Sequence, residues 1–418
     1  MTHAGRDPEA AFRSLWAALA PIGRDPASGG YERLAYTPVE AELRAWFAAE
    51  ARARHLDVHE DRAGNLWAWW GDPDAGGAVA TGSHLDAVRR GGAFDGPLGV
   101  VSALLAVDAL RARGVTPTRP VAVVAFADEE GARFGVACTG SRVLTGQLDR
   151  DRALGLRDDD GVTLAEALRR SGRDPAGFGP DVEVVRTIGR YVELHVEQGR
   201  GQVDVGAPVA VGAGIRPHGR WRFDIQGRPD HAGTTRMADR DDPVLRHAGV
   251  VLEADAAARR CGGVATVARV RIEPNTVNAI AHRVTTWLDA RADDEATVRA
   301  IVAAVAEVAG TGPTEESWTP RVELDARLRA RVVARLGTAR AGRDTPVPVL
   351  ATGAGHDAGV LSLAGIPTAM VFVRNPTGVS HAPEEQAEQA DCLAGVAALA
   401  AVLEDLVGWP GSAAAPVR

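Results

Sequence analysis

The chain has 418 residues, 45% of them hydrophobic and 24% charged, with a formal net charge of -8. These proportions describe a globular protein with room for two or three domains, and an acidic balance without a basic run argues against a general nucleic-acid binder. All 47 cationic side chains counted as Lys or Arg are arginine, which excludes P-loop, kinase, Schiff-base and Ser-x-x-Lys chemistry, since each needs a lysine amine.

Met1 to Ala20 interleaves Arg6, Asp7, Glu9 and Arg13 with its apolar residues, unlike the unbroken apolar stretch of a signal peptide. No window approaches the length of uncharged apolar chain, about 18 residues, that a membrane span requires. Cys138, Cys261 and Cys392 lie far apart without Cys-x-x-Cys spacing, so neither a disulfide framework nor a thiolate zinc site is expected. Together these features suggest the reducing cytoplasm.

In chain order, Thr37-Pro38-Val39-Glu40 reads as a capping box with proline at the first helical position, opening a helix that runs to about His55. Short strands are expected at 57–60 and 65–70, turned by Gly71 and Pro73. An apolar strand at 79–82, a glycine-rich loop at 91–96 and a helix at 100–110 follow. The continuous apolar run 121–126 is of the kind buried on both faces of a parallel sheet. From about Gly212 the order becomes strand 220–226, helix 243–259, strands 264–272 and 284–290, helix 295–309 and strand 318–322. That is the ferredoxin-like β-α-β-β-α-β order. A strand at 346–350, a helix after His356, a strand at 368–373 and a helix at 384–406 restore the α/β pattern, and the tail 411–418 reads as disordered. The expected organisation is one catalytic domain, residues 1–211 and 327–418, interrupted by an inserted domain at 212–326.

Polar groups gather where the apolar strands end. His84 and Asp86 follow the first buried strand, Asp95 lies in the glycine-rich loop, and Asp128-Glu129-Glu130 follow 121–126. His195 and Glu197 end the strand 191–196, and Ser380-His381 follow 368–373. Ligands of open α/β sheets bind outside the carboxyl ends of strands. Singly, each motif is an ordinary loop; four strand ends each delivering imidazole or carboxylate suggest a metal centre. Imidazole and carboxylate without thiolate suit Zn, Mn, Co or Ni, and one carboxylate can bridge two ions. Asp86 is the expected acceptor orienting the His84 ring, and of Glu129 and Glu130 one can ligate while the other acts as base. In the inserted domain His231, Asn278 and Arg291 are donors suited to an oxyanion or a carboxylate, although turn and strand-end roles are the ordinary ones for such residues. His55, His59, His218, His247 and His282 have no supporting neighbours. Gly353-Ala-Gly355-His-Asp-Ala-Gly359 has the wrong spacing for a dinucleotide loop, and no serine sits in a Gly-x-Ser-x-Gly elbow.

The run Gly82-Ser-His84-Leu-Asp86, Gly91-Gly-Ala-Phe-Asp95-Gly, Asp128-Glu-Glu-Gly-Ala-Arg-Phe-Gly135, Glu193-Leu-His195-Val-Glu-Gln198, His231-Ala-Gly-Thr-Thr235, Gly353-Ala-Gly-His-Asp357 and Gly378-Val-Ser-His381 resembles the hydantoinase/carbamoylase branch of the dinuclear-zinc M20 amidohydrolases. The resemblance implies a mixed-sheet, zinc-exopeptidase-like catalytic domain and a ferredoxin-like lid. It implies two divalent ions (Zn, or Mn, Co or Ni): His84 and His195 on one, Glu130 and His381 on the other, and Asp95 between them. Glu129 is then the general base, and Gln198, His231, Asn278, Arg291 and the Gly355-His356 loop receive the substrate carboxylate and the oxyanion. Relatives of this branch are homodimers joined through the lid, with the equivalent of His231 supplied by the partner. The implied partner molecules are a small ureide or N-carbamoyl carboxylate, without nucleic acid or membrane. Allantoate is favoured from the segment 373–381, giving ureidoglycine, CO2 and NH3; N-carbamoyl-L-amino acids and ureidopropionate are the alternatives. A peptidase is disfavoured because that branch carries an acidic ligand at the place of His195, and an inactive binding homologue because Glu129 and all five ligands are kept. Two departures bear on specificity: Arg236 stands where the branch has proline, and Ala281-His282 where it has Pro-Gly.

Overall fold

A computed structural model describes residues 7–339 and 346–408, so the expected disordered tail lies outside the described residues. The chain divides into two compact units. The larger comprises the chain up to Gly214 with Glu323–Thr352 and His356 onward; the smaller comprises Ile215–Val322 with Gly353–Gly355.

The larger unit opens with helices Pro8–Leu19 and Pro38–Ala53. Thr37 caps the second by accepting from the Glu40 amide, but the return half of the expected capping box is missing. The Glu40 carboxylate accepts instead from the Tyr36 amide at 3.2 Å, while Arg44 and Arg173 also donate to it. Strands β1 (Asp57–Glu60), β2 (Leu66–Trp70), β3 (Ala78–His84), β4 (Val121–Phe126), β5 (Ile188–Val196) and β6 (Val209–Ile215) follow.

In the smaller unit, β7 (His218–Gln226), β8 (Asp230–His231), β9 (Val264–Glu273), β10 (Ala279–Ile280), β11 (Arg283–Arg291) and β12 (Thr314–Thr319) are accompanied by helices Pro243–Cys261 and Glu295–Ala309. Its four-stranded sheet has the order β12-β7-β11-β9, antiparallel throughout, and β8 pairs with β10 separately. Alternation along β7 sends Trp221, Phe223 and Ile225 into a core shared with Leu288, Val298 and Ile301. The strand expected at 318–322 lies earlier in the chain. It ends at Thr319 because Pro320 has no amide to donate, and the short β13 (Val322–Glu323) joins the larger sheet.

The larger sheet is completed by β14 (Val349–Thr352) and β15 (Thr368–Val373). Its order is β1-β2-β4-β3-β5-β15-β6-β13, with β14 also on β6. β3 runs parallel to β4 and β5, and β5 parallel to β15, whereas β2 and β6 are antiparallel to their neighbours β4 and β15. Helices Pro97–Ala112 and Gln389–Val407, apolar nearly all round, bury Leu98, Leu104, Leu399 and Leu403 on one face with Val371 and Val373. Trp67, Trp69, Phe126, Tyr191 and Phe372 fill the other. Each such fully buried side chain contributes about 1.5 to 3 kcal/mol. The last helix starts at Gln389 and not at 384, because the segment before it turns the Glu385 side chain inward, as described below. Among the described residues no helix is long and apolar enough to cross a membrane.

Candidate active site

β4, β3, β5 and β15 are neighbours in one parallel set, so their carboxyl ends lie along the same edge. His84 is the last residue of β3, His195 the penultimate residue of β5, Asp128-Glu129-Glu130 follow β4, and His381 follows β15. The loop after β3 returns Asp95 to this edge just before the helix Pro97–Ala112. Gly96 makes that return possible: its φ is +83°, and a Cβ there would lie 2.4 to 2.6 Å from the His84 ring.

Asp95 is the hub. Its Oδ1 lies 3.1 Å from His195 Nε2 and 3.5 Å from His84 Nε2, and its Oδ2 lies 3.3 Å from His381 Nε2. His381 Nε2 is also 3.4 Å from Glu130 Oε1. Two groups able to hold a metal ion therefore share one carboxylate: His84, Asp95 and His195, and Asp95, Glu130 and His381. The tautomers fit that use. His84 Nδ1 donates to the Asp86 carbonyl at 3.1 Å and His195 Nδ1 to the Val196 carbonyl at 2.8 Å, which turns both Nε2 atoms toward Asp95. Both Nε2 atoms are buried without a hydrogen-bond partner. A neutral Nε2 facing a carboxylate across 3.1 Å is an arrangement that a bound cation would relieve, and the chain has no lysine to supply one.

Asp86 acts somewhat differently from expectation. Its main-chain carbonyl, nearer than its carboxylate at 3.5 Å, takes the His84 Nδ1 proton. The carboxylate accepts the Glu129 and Glu130 amides at 3.2 and 3.0 Å and so sets the turn after β4, which begins on Asp128 at a left-handed φ of 53°. Glu129 Oε1 accepts from the Cys138 thiol at 3.3 Å, and its Oε2 lies 3.8 Å from His84 Nε2.

Burial raises Glu129 well above the usual carboxylate range, with Asp357 and Glu130 adding to it and His84 opposing. Burial and Asp95 push Glu130 up to about 7. Asp95 goes the other way: burial opposes ionisation, but His195, His381 and His84 hold it well below its ordinary value. Burial pulls His381 down, but Asp95 and Glu130 outweigh it and lift it to about 9. Glu129 and Glu130, which resist ionising, beside His381, which holds its proton, form an arrangement that divalent cations would relieve.

Gln198 Nε2 donates to Asp95 Oδ2 at 2.7 Å, so this expected substrate contact is tied to the shared carboxylate. His356 is buried, its ring edge-on to His195 with centroids 4.5 Å apart. In the smaller unit, the β8–β10 pairing sets His231 opposite Ala279, and the Asn278 carbonyl accepts the Ala232 amide at 3.0 Å, which brings His231 and Asn278 together. His231 is exposed, and its Nδ1 accepts the Gly233 amide at 3.0 Å, which leaves Nε2–H as a donor. Arg291 donates to both Asp289 oxygens at 2.7 and 3.0 Å and to the Gly353 carbonyl at 2.8 Å, while Gly355 packs against the His218 ring. Arg236, 83% exposed, pairs with Asp239 at 2.6 Å.

Residues outside the sequence-derived set complete the site. Glu193 accepts from the Ser83 hydroxyl and the Ala358 amide. Asp357, pushed by burial and Glu193 to about 8, accepts from Ser141. Glu385 accepts the Phe94 and Asp95 amides. Glu193 and Asp357 lie inside the motifs that end β5 and lead into the helix Asp357–Leu363; Glu385 sits in a stretch with helical sequence character and carries no local signal.

Residues 80–405 match the model of peptidase family M20/M25/M40. The chain is 38% identical to an N-carbamoyl-L-amino acid amidohydrolase of Geobacillus stearothermophilus, covering 91% of this chain and 94% of that protein. It is 32% identical to the allantoate amidohydrolase of Escherichia coli (strain K12), covering 93% and 95% respectively. The crystal structure of an amidase of the hydantoinase/carbamoylase family from Burkholderia vietnamiensis superposes with a TM-score of 0.89 at 30% identity, covering 98% of this chain and all of that one.

Proposed function

The chain belongs to peptidase family M20/M25/M40, and on that premise we propose that it is a cytoplasmic amidohydrolase cleaving the ureido or carbamoyl C–N bond of a small carboxylate. The observation that carries this reading is the Asp95 carboxylate shared between the His84–His195 and Glu130–His381 groups. Two divalent ions held by these five residues would polarise the scissile carbonyl and lower the pKa of water. Glu129, held by Asp86 and Cys138 and with burial raising its proton affinity, takes the proton of the attacking water and delivers it to the departing nitrogen. His231, through Nε2–H, is the donor for the oxyanion. Asn278, Arg291, Gln198 and the Gly355-His356 loop orient the substrate carboxylate. Hydrolysis releases carbamate, which breaks down to CO2 and NH3, and the free amine.

Within this class we take allantoate as the first reading, from the resemblance of the segment 373–381 to that of allantoate amidohydrolases. The higher identity to the N-carbamoyl-L-amino acid amidohydrolase supports N-carbamoyl-L-amino acids as the second reading. We assign the smaller unit to lid and dimerisation roles. β9 is an edge strand with Val264 and Val270 exposed, and the neighbouring helix exposes Leu245 and Leu252, apolar surface that a second copy would cover.

The test is ammonia release from allantoate, N-carbamoyl amino acids, ureidopropionate and dipeptides after loading with Mn, Zn or Co, with a chelated control. Cleavage of a ureide only in the loaded enzyme is expected. Cleavage of dipeptides alone, or chelator-insensitive turnover by metal-free protein, refutes the assignment.

A further inference from the structure

Glu385 is 3% exposed and belongs to none of the ligand groups described above. Its Oε1 accepts the main-chain amides of Phe94 and Asp95 at 2.8 and 2.9 Å. The Ser380 hydroxyl lies 3.1 Å from Glu385 Oε2 and 3.1 Å from Asp95 Oδ2. The carboxylate thus joins two segments far apart in sequence, the loop that ends on Asp95 and the segment that ends on His381. Gly92 leaves the space for it, since a Cβ there would fall 2.4 Å from the Glu385 carboxyl carbon. His381 itself stands at a left-handed φ of 59°, a conformation that needs support from its surroundings.

We propose that Glu385 is a positioning residue that holds the Asp95 loop against the Ser380-His381 segment, so that one carboxylate can serve both metal groups. It touches no reacting atom; it acts through Asp95 and Ser380. The consequence for metal binding rests on the proposed reading of Asp95, Glu130 and His381 as ligands. The effect on the loop does not.

Two measurements on the full-length protein separate these. In metal-free protein, hydrogen–deuterium exchange across residues 92–96 should quicken about tenfold in Glu385→Ala, as expected for losing a hydrogen bond to a charged group, while the helix Pro97–Ala112 stays protected. Glu385→Gln keeps one acceptor oxygen and should fall between, so the test survives if the alanine variant fails to fold. Mn2+ titration should show two equivalents in the wild type. In Glu385→Ala the ion associated with Glu130 and His381 should bind about 10- to 100-fold more weakly, the usual effect of removing a support behind a ligand, with the glutamine variant partly rescued. Unchanged exchange at 92–96 in a folded variant, or two ions bound as tightly as in wild type, overturns the proposal. Faster exchange in a protein whose wild type binds no metal would support the loop role and instead defeat the hydrolase reading.

Discussion

Gly96→Ala places a single methyl group where the structure has two objections to it. The residue sits at φ +83° and ψ -61°, outside the regions open to L-residues, at a cost of about 1 to 3 kcal/mol. The new Cβ would also stand 2.4 Å from His84 Cε1 and 2.5 Å from Nδ1, and His84 is fully buried. Overpacking of this kind costs about 1 to 3 kcal/mol more. The sum, about 2 to 6 kcal/mol, is a large part of a typical folding stability of about 5 to 15 kcal/mol. For a unit of roughly 300 residues, an unfolding entropy of about 2.1 cal/mol/K per residue converts this to a Tm lower by about 3 to 9 °C. The His84 ring can relieve the clash only by leaving Asp95, so metal content should fall with Tm. Thermal unfolding by circular dichroism and elemental analysis of the purified variant check both. A Tm within about 1 °C of wild type with full metal content would refute the close approach of Gly96 to His84 and the ligand role argued from it.

Glu129→Gln should bind metal normally and lose about 10²- to 10⁴-fold in kcat, the usual contribution of a general base; wild-type turnover would remove Glu129 from that role. Metal affinity of the apo-protein should rise with pH up to about 9, because His381, lifted to about 9, must lose its proton to ligate, and Glu130, lifted to about 7, must lose its own. Titrations with Mn2+ showing the same affinity at pH 6 and pH 8 would contradict this. Leu252→Glu combined with Val270→Asp should make the proposed dimer monomeric in sedimentation, since both side chains are exposed on the smaller unit; a dimer kept by the variant would place the interface elsewhere. Arg291→Lys should raise KM more than it lowers kcat, because lysine cannot reproduce the planar fork, and the opposite split would assign Arg291 to the transition state.

Hydrophobic periodicity and strand-end chemistry were readable without coordinates. The apolar run 121–126 and the helix 295–309 appear with those bounds, and the β-α-β-β-α-β order is present in the smaller unit. These signals are local: side-chain alternation and helical spacing encode burial within a few residues. The absence of lysine likewise restricts the chemistry whatever the contacts. What tertiary structure alone decided is which distant groups meet. The order β4-β3-β5-β15 sets four strand ends on one edge and makes Asp95 the carboxylate common to two groups. Glu385, 290 residues from Asp95 along the chain, looked like the first turn of a helix. Asp86 proved to hold the Glu129-Glu130 turn by its carboxylate and His84 by its main chain. Arg291, proposed to orient a substrate carboxylate, is itself oriented by both oxygens of Asp289. Each of these depends on through-space geometry between segments with no shared periodicity, and a pattern confined to neighbours along the chain carries no information about it.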